Sequence, residues 1–232
     1  MSEPRHDSAL SMGLAFVAGF VDTVGFIALF GLFTAHVTGN FVLIGAALVH
    51  SSGGVLLKLL VFPAFIAAVA LTRLIVLWLE RHGRGALVPL LYLQAVLLTA
   101  FMLVGWRAWP VQSADAPLAL WAGIAAALAM GVQNAASRLV LTGLAPTTVM
   151  TGNVTQLILD AVDLARGGAD GTLRQRAVKF IGPIIAFAFG AIGGALGYVR
   201  FAFWSLLAPV AALAILAVIC GADGNRHAAT AS

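Results

Sequence analysis

Six long apolar runs constrain this chain more than any other feature of its sequence. A helix needs roughly 20 apolar residues to cross the hydrocarbon core of a bilayer, and the runs that reach this length are 11–32, 57–80, 86–106, 117–141, 178–198 and 201–220. Lipid offers the backbone no hydrogen-bond partners, so a spanning segment must be a helix or part of a closed barrel. The runs lack the alternation of barrel strands. We therefore predict an all-α polytopic membrane protein with 1–232 as a single membrane domain.

The composition excludes several other classes of protein. Hydrophobic residues make up 61% of the chain and charged residues 9%, which is far from the balance of a soluble domain. The net charge of +4 does not indicate nucleic acid, because most lysines and arginines lie in or near short connections between runs, where they report topology. The lone Cys220 excludes an intramolecular disulfide and leaves no metal-ligand spacing. We expect the lipid bilayer as a partner and no cofactor, metal or nucleic acid.

Two shorter apolar stretches, 37–50 and 149–165, remain. If both leave the membrane on the side where they enter, the chain has six spans and most of its arginines become cytoplasmic, as basic residues prefer. The same topology gathers at the outer boundary Trp106, Trp109, Trp121, Tyr198 and Trp204. If both stretches cross fully, there are eight spans and this aromatic group is split. We predict six spans plus two broken or re-entrant segments, with both termini cytoplasmic, and leave the eight-span alternative open.

The two short stretches begin at or just before the same triplet, first Thr38-Gly39-Asn40 and then Thr151-Gly152-Asn153. Aligning residue 19 with residue 131 pairs Gly19 with Gly131 and Asp22 with Asn134, and one inserted residue later it pairs the triplets. The alignment predicts an internal repeat, with one copy at about 11–106 and the other at about 117–220. Each copy holds three spans, an odd number, so the second copy should be inverted, as in many secondary transporters.

The repeated triplet suits the first turn of a helix. Threonine and asparagine side chains can cap the free N–H groups there, and glycine lets the chain bend. In an inverted repeat the two triplets should approach each other near the bilayer midplane. Irregular backbone at that depth is tolerated only where it is buried in protein or lines a polar cavity. The triplets therefore mark either a packing hub or a substrate path.

Asp22 lies near the middle of the first run, where a carboxylate is costly. It is a candidate site for a proton, a cation or a substrate amine, although a carboxylate that only fixes packing gives the same pattern. Asn134 at the related position would make such a site asymmetric. His36, two residues before the first triplet, is a candidate proton-responsive group, unless it only caps the outer loop.

The second short stretch carries polar residues on one helical face, which indicates a wet stripe: Asn153, Gln156, Asp160 and Asp163. The alternative is that the two aspartates pair with arginines at the cytoplasmic end. Gln133, beside Asn134, is a candidate pore-lining amide, or else a donor in a hydrogen bond between helices.

Small residues recur at four-residue spacing in two runs, as Ala119, Gly123, Ala127, Gly131 and Ala135 and as two glycine pairs, Gly190/Gly194 and Gly193/Gly197. They permit close helix contact, either within one chain or between protomers, and they are compatible with a homodimer. The chain has no Walker loop, no metal cluster, no GxSxG and no HExxH motif. We therefore do not expect an enzyme.

The paired motifs, in this order, resemble those of the YoaK family of bacterial membrane proteins, also called the DUF1275 family. They are Gly19-Phe-Val-Asp22, His36-Val-Thr-Gly-Asn40, Gly131-Val-Gln-Asn134 and Val149-Met-Thr-Gly-Asn153. The resemblance covers about residues 10–220. It implies a location in the bacterial cytoplasmic (inner) membrane, and it leaves the function open.

Two functions fit these features. The first is a transporter or channel for a small polar solute, with its path at the repeat interface and proton coupling through Asp22. The second is a membrane scaffold or assembly protein that transports nothing, in which the triplets serve only packing. The sequence does not name the solute, its direction of movement or a coupling ion.

Overall fold

A computed structural model describes residues 4–49, 53–166 and 171–230, with backbone only for 4–6, 171–178 and 223–230. Regular structure in these ranges is helical throughout, which confirms the all-α prediction. The elements are α1 (Pro4–Ala28), α2 (Gly39–Val49), α3 (Val55–Arg81), α4 (Leu87–Ala108), α5 (Pro117–Leu139), α6 (Met150–Ala165), α7 (Gly171–Phe201), a short 3-10 helix (Ala202–Leu206) and α8 (Leu207–Thr230).

Five stretches of the described residues are long and apolar enough to cross a membrane. Four of them lie within α1, α3, α4 and α5. The fifth, Lys179–Ala222, has 44 residues, about twice the length that one crossing needs, and the 3-10 helix interrupts it. On the two sides of that interruption the neighbours differ, since α7 packs on α1 and α6 whereas α8 packs on α4 and α1. The chain is a multi-pass membrane protein.

The two short apolar stretches form separate helices. α2 has 11 residues and α6 has 16, which correspond to about 16 and 24 Å of helix. Both are shorter than the hydrocarbon core of about 30 Å. They match the predicted segments 37–50 and 149–165, although His50 lies outside the described residues.

α7 already begins at Gly171, so most of the basic stretch 166–179 between the apolar segments belongs to a helix and not to a connection; residues 167–170 lie outside the described part. The charged ends of the chain, 1–8 and 222–232, are helical wherever they are described. A run of apolar residues marks the hydrocarbon, but a helix satisfies its own backbone and continues into water when its residues are good helix formers.

Helices α1 and α5 lie at the centre of the bundle. Each buries 67% of its most apolar window inside the protein, against 22% for α3. α1 packs on α7, α8 and α5, and α5 packs on α3, α4 and α1; α4 and α8 also contact each other. The positions that carry Asp22 and Asn134 therefore belong to the two most enclosed helices.

Close packing of these helices depends on glycine. A β carbon at Gly19 would overlap the carbonyl oxygen of Phe187, and one at Gly194 would lie 2.6 Å from the carbonyl oxygen of Phe20. On α5, a β carbon at Gly131 would lie 2.6 Å from the β carbon of Ala68. The small-residue faces of α5 and α7 therefore contact other helices of the same chain.

Lys58, a charged residue near the start of the apolar run 57–80, is 5% exposed. Its Nζ donates a hydrogen bond to the carbonyl oxygen of Phe30 at 2.7 Å, and Phe30 itself has a positive φ of 54°. A cation next to the last carbonyls of a helix is favourable because that end carries partial negative charge. Lys58 thus stabilises the point where α1 ends.

Candidate functional site

Asp22 organises the loop that connects α1 to α2. The side chain is 5% exposed, and its Oδ1 accepts hydrogen bonds from the backbone N–H of Thr34 at 2.6 Å and of Ala35 at 2.8 Å. The Thr34 hydroxyl donates to the same oxygen at 3.2 Å. Three donors that converge on one oxygen satisfy this buried acceptor. The buried acid therefore ties an irregular loop to a central helix.

His36 contacts the other oxygen of this carboxylate. Its Nδ1 lies 2.7 Å from Asp22 Oδ2. A carboxylate accepts and does not donate, so with an ionised Asp22 the proton of this bond lies on Nδ1, and Nε2 is left to accept a proton or to bind a ligand. The His36 side chain is 36% exposed. From the sequence, the two residues were separate candidates. In the structure they form one pair, in which Asp22 is buried and His36 is accessible.

A pocket of about 470 Å³ lies next to this pair. Three phenylalanines contribute to its wall: Phe26 on α1, Phe33 in the loop and Phe187 on α7. The imidazole of His36 meets Phe187 edge-on with ring centroids 5.7 Å apart, and Phe33 at 6.3 Å. Thr23 and Gly39 complete the lining. The pocket is an aromatic chamber with a carboxylate–imidazole pair on one side.

The first triplet closes the same loop. Asn40 is 1% exposed; its Oδ1 accepts from the backbone N–H of Phe33 at 2.9 Å, and its Nδ2 donates to the carbonyl of Phe33 at 2.8 Å. There is little room at Gly39, since a β carbon there would lie 3.0 Å from the Phe33 ring. Thr38 is exposed. Asn40 thereby holds Phe33 in the pocket wall.

The loop between α5 and α6 repeats part of this arrangement. Asn134 Nδ2 donates to the Thr148 hydroxyl at 2.8 Å, which ties α5 to its loop as Asp22 ties α1. Asn153, 1% exposed, donates to the carbonyl of Pro146 at 2.7 Å. In both loops the asparagine of the triplet therefore reaches the carbonyl seven residues earlier.

Gln133 holds the second loop to the bundle. Its Nε2 donates to the carbonyl of Leu14 at 2.8 Å and to the Thr147 hydroxyl at 3.0 Å, while its Oε1 accepts from Gln94 at 2.6 Å. Both glutamines are 1% exposed. This buried network joins α1, α4, α5 and the loop, as the hydrogen-bonding alternative for Gln133 requires.

The polar face predicted on α6 is partly buried and partly exposed. Asp160 is 1% exposed and accepts from Gln156 Nε2 at 2.8 Å, whereas Asp163 is exposed. Thr151 and Gly152 are also exposed, and the Thr151 carbonyl accepts from Thr155. Among the described side chains, no group of three or more histidine, cysteine or acidic residues is placed to hold a metal ion.

Two predictions about the triplets need correction. Asn153 does not cap α6, because its amide turns back to the loop and α6 begins without a side-chain cap. In the first copy the N–H groups of the opening turn of α2 donate to backbone carbonyls three residues earlier. Further, no packed interface joins α2 to α6 in the described part of the chain, so these helices do not bring the triplets together. Each triplet serves its own loop.

Sequence reasoning missed the aromatic members of the pocket. Phe26 lies just before the first loop and Phe33 within it, but phenylalanine is frequent in apolar runs and gives no signal there. Phe187 comes from the other half of the chain, and only packing of α7 on α1 brings it to His36. One signal was available: Thr34 lies in a loop that had to return to a buried carboxylate, and its hydroxyl and N–H are the donors such a group needs.

Comparison with known proteins places the chain in a family. The model of a family described as "Protein of unknown function (DUF1275)" matches residues 10–219. A relative from Bacillus subtilis (strain 168), described as "UPF0700 transmembrane protein YoaK", is 31% identical over 162 residues, which cover 69% of each chain. No solved structure matches. The family match agrees with the resemblance of the paired motifs, and the chain belongs to the DUF1275 family of membrane proteins.

Proposed function

We propose that this protein is a transporter or channel for a small solute, and that the solute path includes the pocket beside Asp22 and His36. One observation carries the proposal: a buried carboxylate, paired with a partly exposed imidazole, borders a pocket of about 470 Å³ next to a central helix. Ionisable groups inside a membrane are costly and are usually retained for solute or proton pathways.

The packing of the α-helices favours an inverted repeat, and such a repeat would support this function. If α1 is exchanged with α5, α2 with α6, α3 with α7 and α4 with α8, every packed pair of α-helices maps onto a packed pair: α1–α7 onto α5–α3, α4–α5 onto α8–α1, and α2–α3 onto α6–α7. The contacts of the 3-10 helix have no counterpart. The pairs α4–α8 and α1–α5 map onto themselves. This pattern, together with the paired loops, favours two related halves with the pocket near their contact. Transporters commonly bind solutes at such an interface.

The proposed topology has six crossings, with α7 and α8 crossing separately and α2 and α6 dipping into the bilayer. Both termini then face the cytoplasm of the bacterial inner membrane, as the positions of the basic residues favour. Gly85 in the connection between α3 and α4 has open space around it, so a Gly85→Cys variant made in a Cys220→Ala background is a suitable reporter. Labelling of intact cells by an impermeant maleimide would contradict this topology.

A scaffold without transport activity is the second candidate. It is favoured by the hydrogen bonds of Asn40 and Asn153, which close on their own loops. Such closure is sufficient for a packing role and does not require a solute.

Reconstitution into liposomes separates the two functions. Vesicles that contain wild-type protein should take up at least one member of a panel of small labelled cations, zwitterions, anions and neutral polyols faster than protein-free vesicles. Asp22→Asn should lose the uptake while it keeps the bond-accepting oxygen that holds Thr34. Uptake equal to that of empty vesicles for the whole panel would favour the scaffold.

A further inference from the structure

We propose that the pocket beside Asp22 and His36 binds a small organic ammonium cation, and that the cation and a proton on His36 occupy the site alternately. This inference names the solute class of the proposed transport site and rests on that function for its physiological role. Binding itself can be measured whether or not transport occurs.

The wall of the pocket selects for positive charge. Phenylalanine rings carry negative potential on their faces and attract cations within about 6 Å of the ring centre. Three such rings border the chamber, on α1, the loop and α7. Asp22 adds a carboxylate, and no lysine or arginine belongs to the lining. An anionic solute would find as a cationic partner only the His36 imidazolium, which is already paired with Asp22, and a polyol would find few polar groups.

The apolar wall also selects for an organic cation over a metal ion. Hard metal cations require several oxygen ligands, whereas the lining offers only one carboxylate and one threonine hydroxyl. Asp22 Oδ1 already accepts three hydrogen bonds from the loop. An ammonium group with carbon substituents needs less: a negative field and aromatic faces suffice.

The charge balance of the site predicts exchange. With neutral His36, the pair with Asp22 carries one negative charge, which a bound cation neutralises. With protonated His36, the pair is neutral, and the positive imidazolium repels an incoming ammonium cation at short range in a medium of low dielectric. One cation therefore enters as one proton leaves His36 Nε2, and the net charge of the pocket is the same before and after the exchange.

Among the side chains that the structure describes, Asp22 and His36 are the ionisable ones that line the pocket. α1 contributes only Asp22 near the pocket, since Asp7 lies at its opposite end. α2 contains no ionisable residue. On α7 the ionisable side chains described, Lys179, Tyr198 and Arg200, are two or more helical turns from Phe187. Lys58 on α3 is directed at the Phe30 carbonyl. Proton exchange at this site is thus a property of Asp22 and His36.

Three ligands built on one benzyl group test the selectivity: benzyltrimethylammonium, benzyl alcohol and phenylacetate, titrated by calorimetry into the detergent-solubilised full chain. We expect the cation to bind at least about tenfold more tightly than the other two, which corresponds to the gain from cation–π contact and one charge pair. Its affinity should rise with pH by up to about tenfold per unit while His36 is protonated in the free site, and then level off. Titrations in buffers of different ionisation enthalpy should show release of up to about one proton.

Two variants and a control localise the effect. Phe187→Leu should weaken the cation severalfold and leave benzyl alcohol nearly unchanged, because it removes an aromatic face but keeps an apolar wall. His36→Gln should keep cation binding but abolish its pH dependence. Phe41→Leu is the matched control, since Phe41 pairs with Phe62 outside the pocket. Folding of each variant is checked by gel filtration and thermal unfolding.

Several outcomes overturn the inference: equal affinity for cation and alcohol, preference for phenylacetate, absence of binding by all three ligands, or a pH dependence that survives in His36→Gln. They are distinct from failure of transport. If vesicles move a neutral or anionic solute while the cation does not bind, this inference fails and the transport proposal stands. If the cation binds as described but neither it nor any other solute crosses the membrane, the site class holds and transport fails.

Discussion

The loop after α1 and the loop after α5 solve the same folding problem with different chemistry. Each must return an irregular segment to a central helix without leaving buried polar groups unpaired. The first uses a carboxylate, Asp22, which leaves room for His36 and a pocket. The second uses amides, Asn134 and Gln133, which are bound to hydroxyls and a carbonyl. Amides do not titrate. The second loop is therefore only anchored to its helix, whereas the first is anchored and also carries a pair of ionisable side chains.

Among substitutions that compare the two halves, those at the glycines between packed helices should lower the free energy of unfolding the most. Gly19→Ala should lower the free energy of unfolding by about 3 kcal/mol or prevent folding, because its β carbon meets the Phe187 backbone, which cannot move aside. Gly131→Ala meets the Ala68 side chain and should cost somewhat less. Unfolding at increasing concentrations of a denaturing detergent measures the free energy of unfolding of both variants.

Gly45→Ala is the control, since nothing lies within 4 Å of the added carbon, and it should be neutral or slightly stabilising. A Gly19→Ala protein as stable as Gly45→Ala would contradict the close packing of α1 on α7.

The asparagines of the two triplets should show the next largest effect on stability, and the two should differ from each other. Asn40→Ala removes two hydrogen bonds to Phe33, whereas Asn153→Ala removes one to the Pro146 carbonyl and a long contact of 3.7 Å to Met150 Sδ; proline has no N–H to donate back. With buried backbone groups left unpaired, we expect losses of about 2–4 kcal/mol for Asn40→Ala and about 1–3 kcal/mol for Asn153→Ala. The same denaturation assay compares them. Equal losses would show that the second bond of Asn40 contributes nothing.

A smaller effect should separate the two loop threonines. Thr148→Val leaves the Asn134 amide without its hydroxyl acceptor and should cost about 1–2 kcal/mol. Thr34→Val removes only the longest of the Asp22 bonds, 3.2 Å, while the backbone donors of Thr34 and Ala35 stay in place, so we expect a loss of less than about 1 kcal/mol. The reverse order would indicate that the hydroxyl, not the backbone, holds Asp22.

The fold was predictable because its strongest determinants are local. Apolar runs, the short stretches 37–50 and 149–165, and the small-residue faces all translate directly into helices and contacts. The alignment of Asp22 with Asn134 also identified the two positions that anchor the loops. What was not predictable depends on how the loops fold back on the helices. A triplet asparagine looked like a helix cap, but its actual partner is a carbonyl seven residues earlier.

The pocket was beyond sequence reasoning for a related reason. Its aromatic wall combines Phe26 and Phe33 with Phe187, and only helix packing decides which of 14 phenylalanines face one chamber. His36 could be suspected, but not its bond to Asp22, since the loop conformation that joins them is set by Thr34 and Ala35.

Counter-movement of protons and an impermeant cation is the decisive measurement for a proton-exchanging transport site at the first loop. Liposomes that enclose a pH-sensitive dye and contain wild-type protein are diluted into benzyltrimethylammonium, and the internal pH is followed. We predict that entry of the cation drives protons out, so that the interior becomes alkaline, with wild type and with Asn134→Asp, and that Asp22→Asn abolishes the response. An equal response with Asp22→Asn, or no response with wild type while the cation binds in detergent, would contradict a proton-exchanging transport site at the first loop.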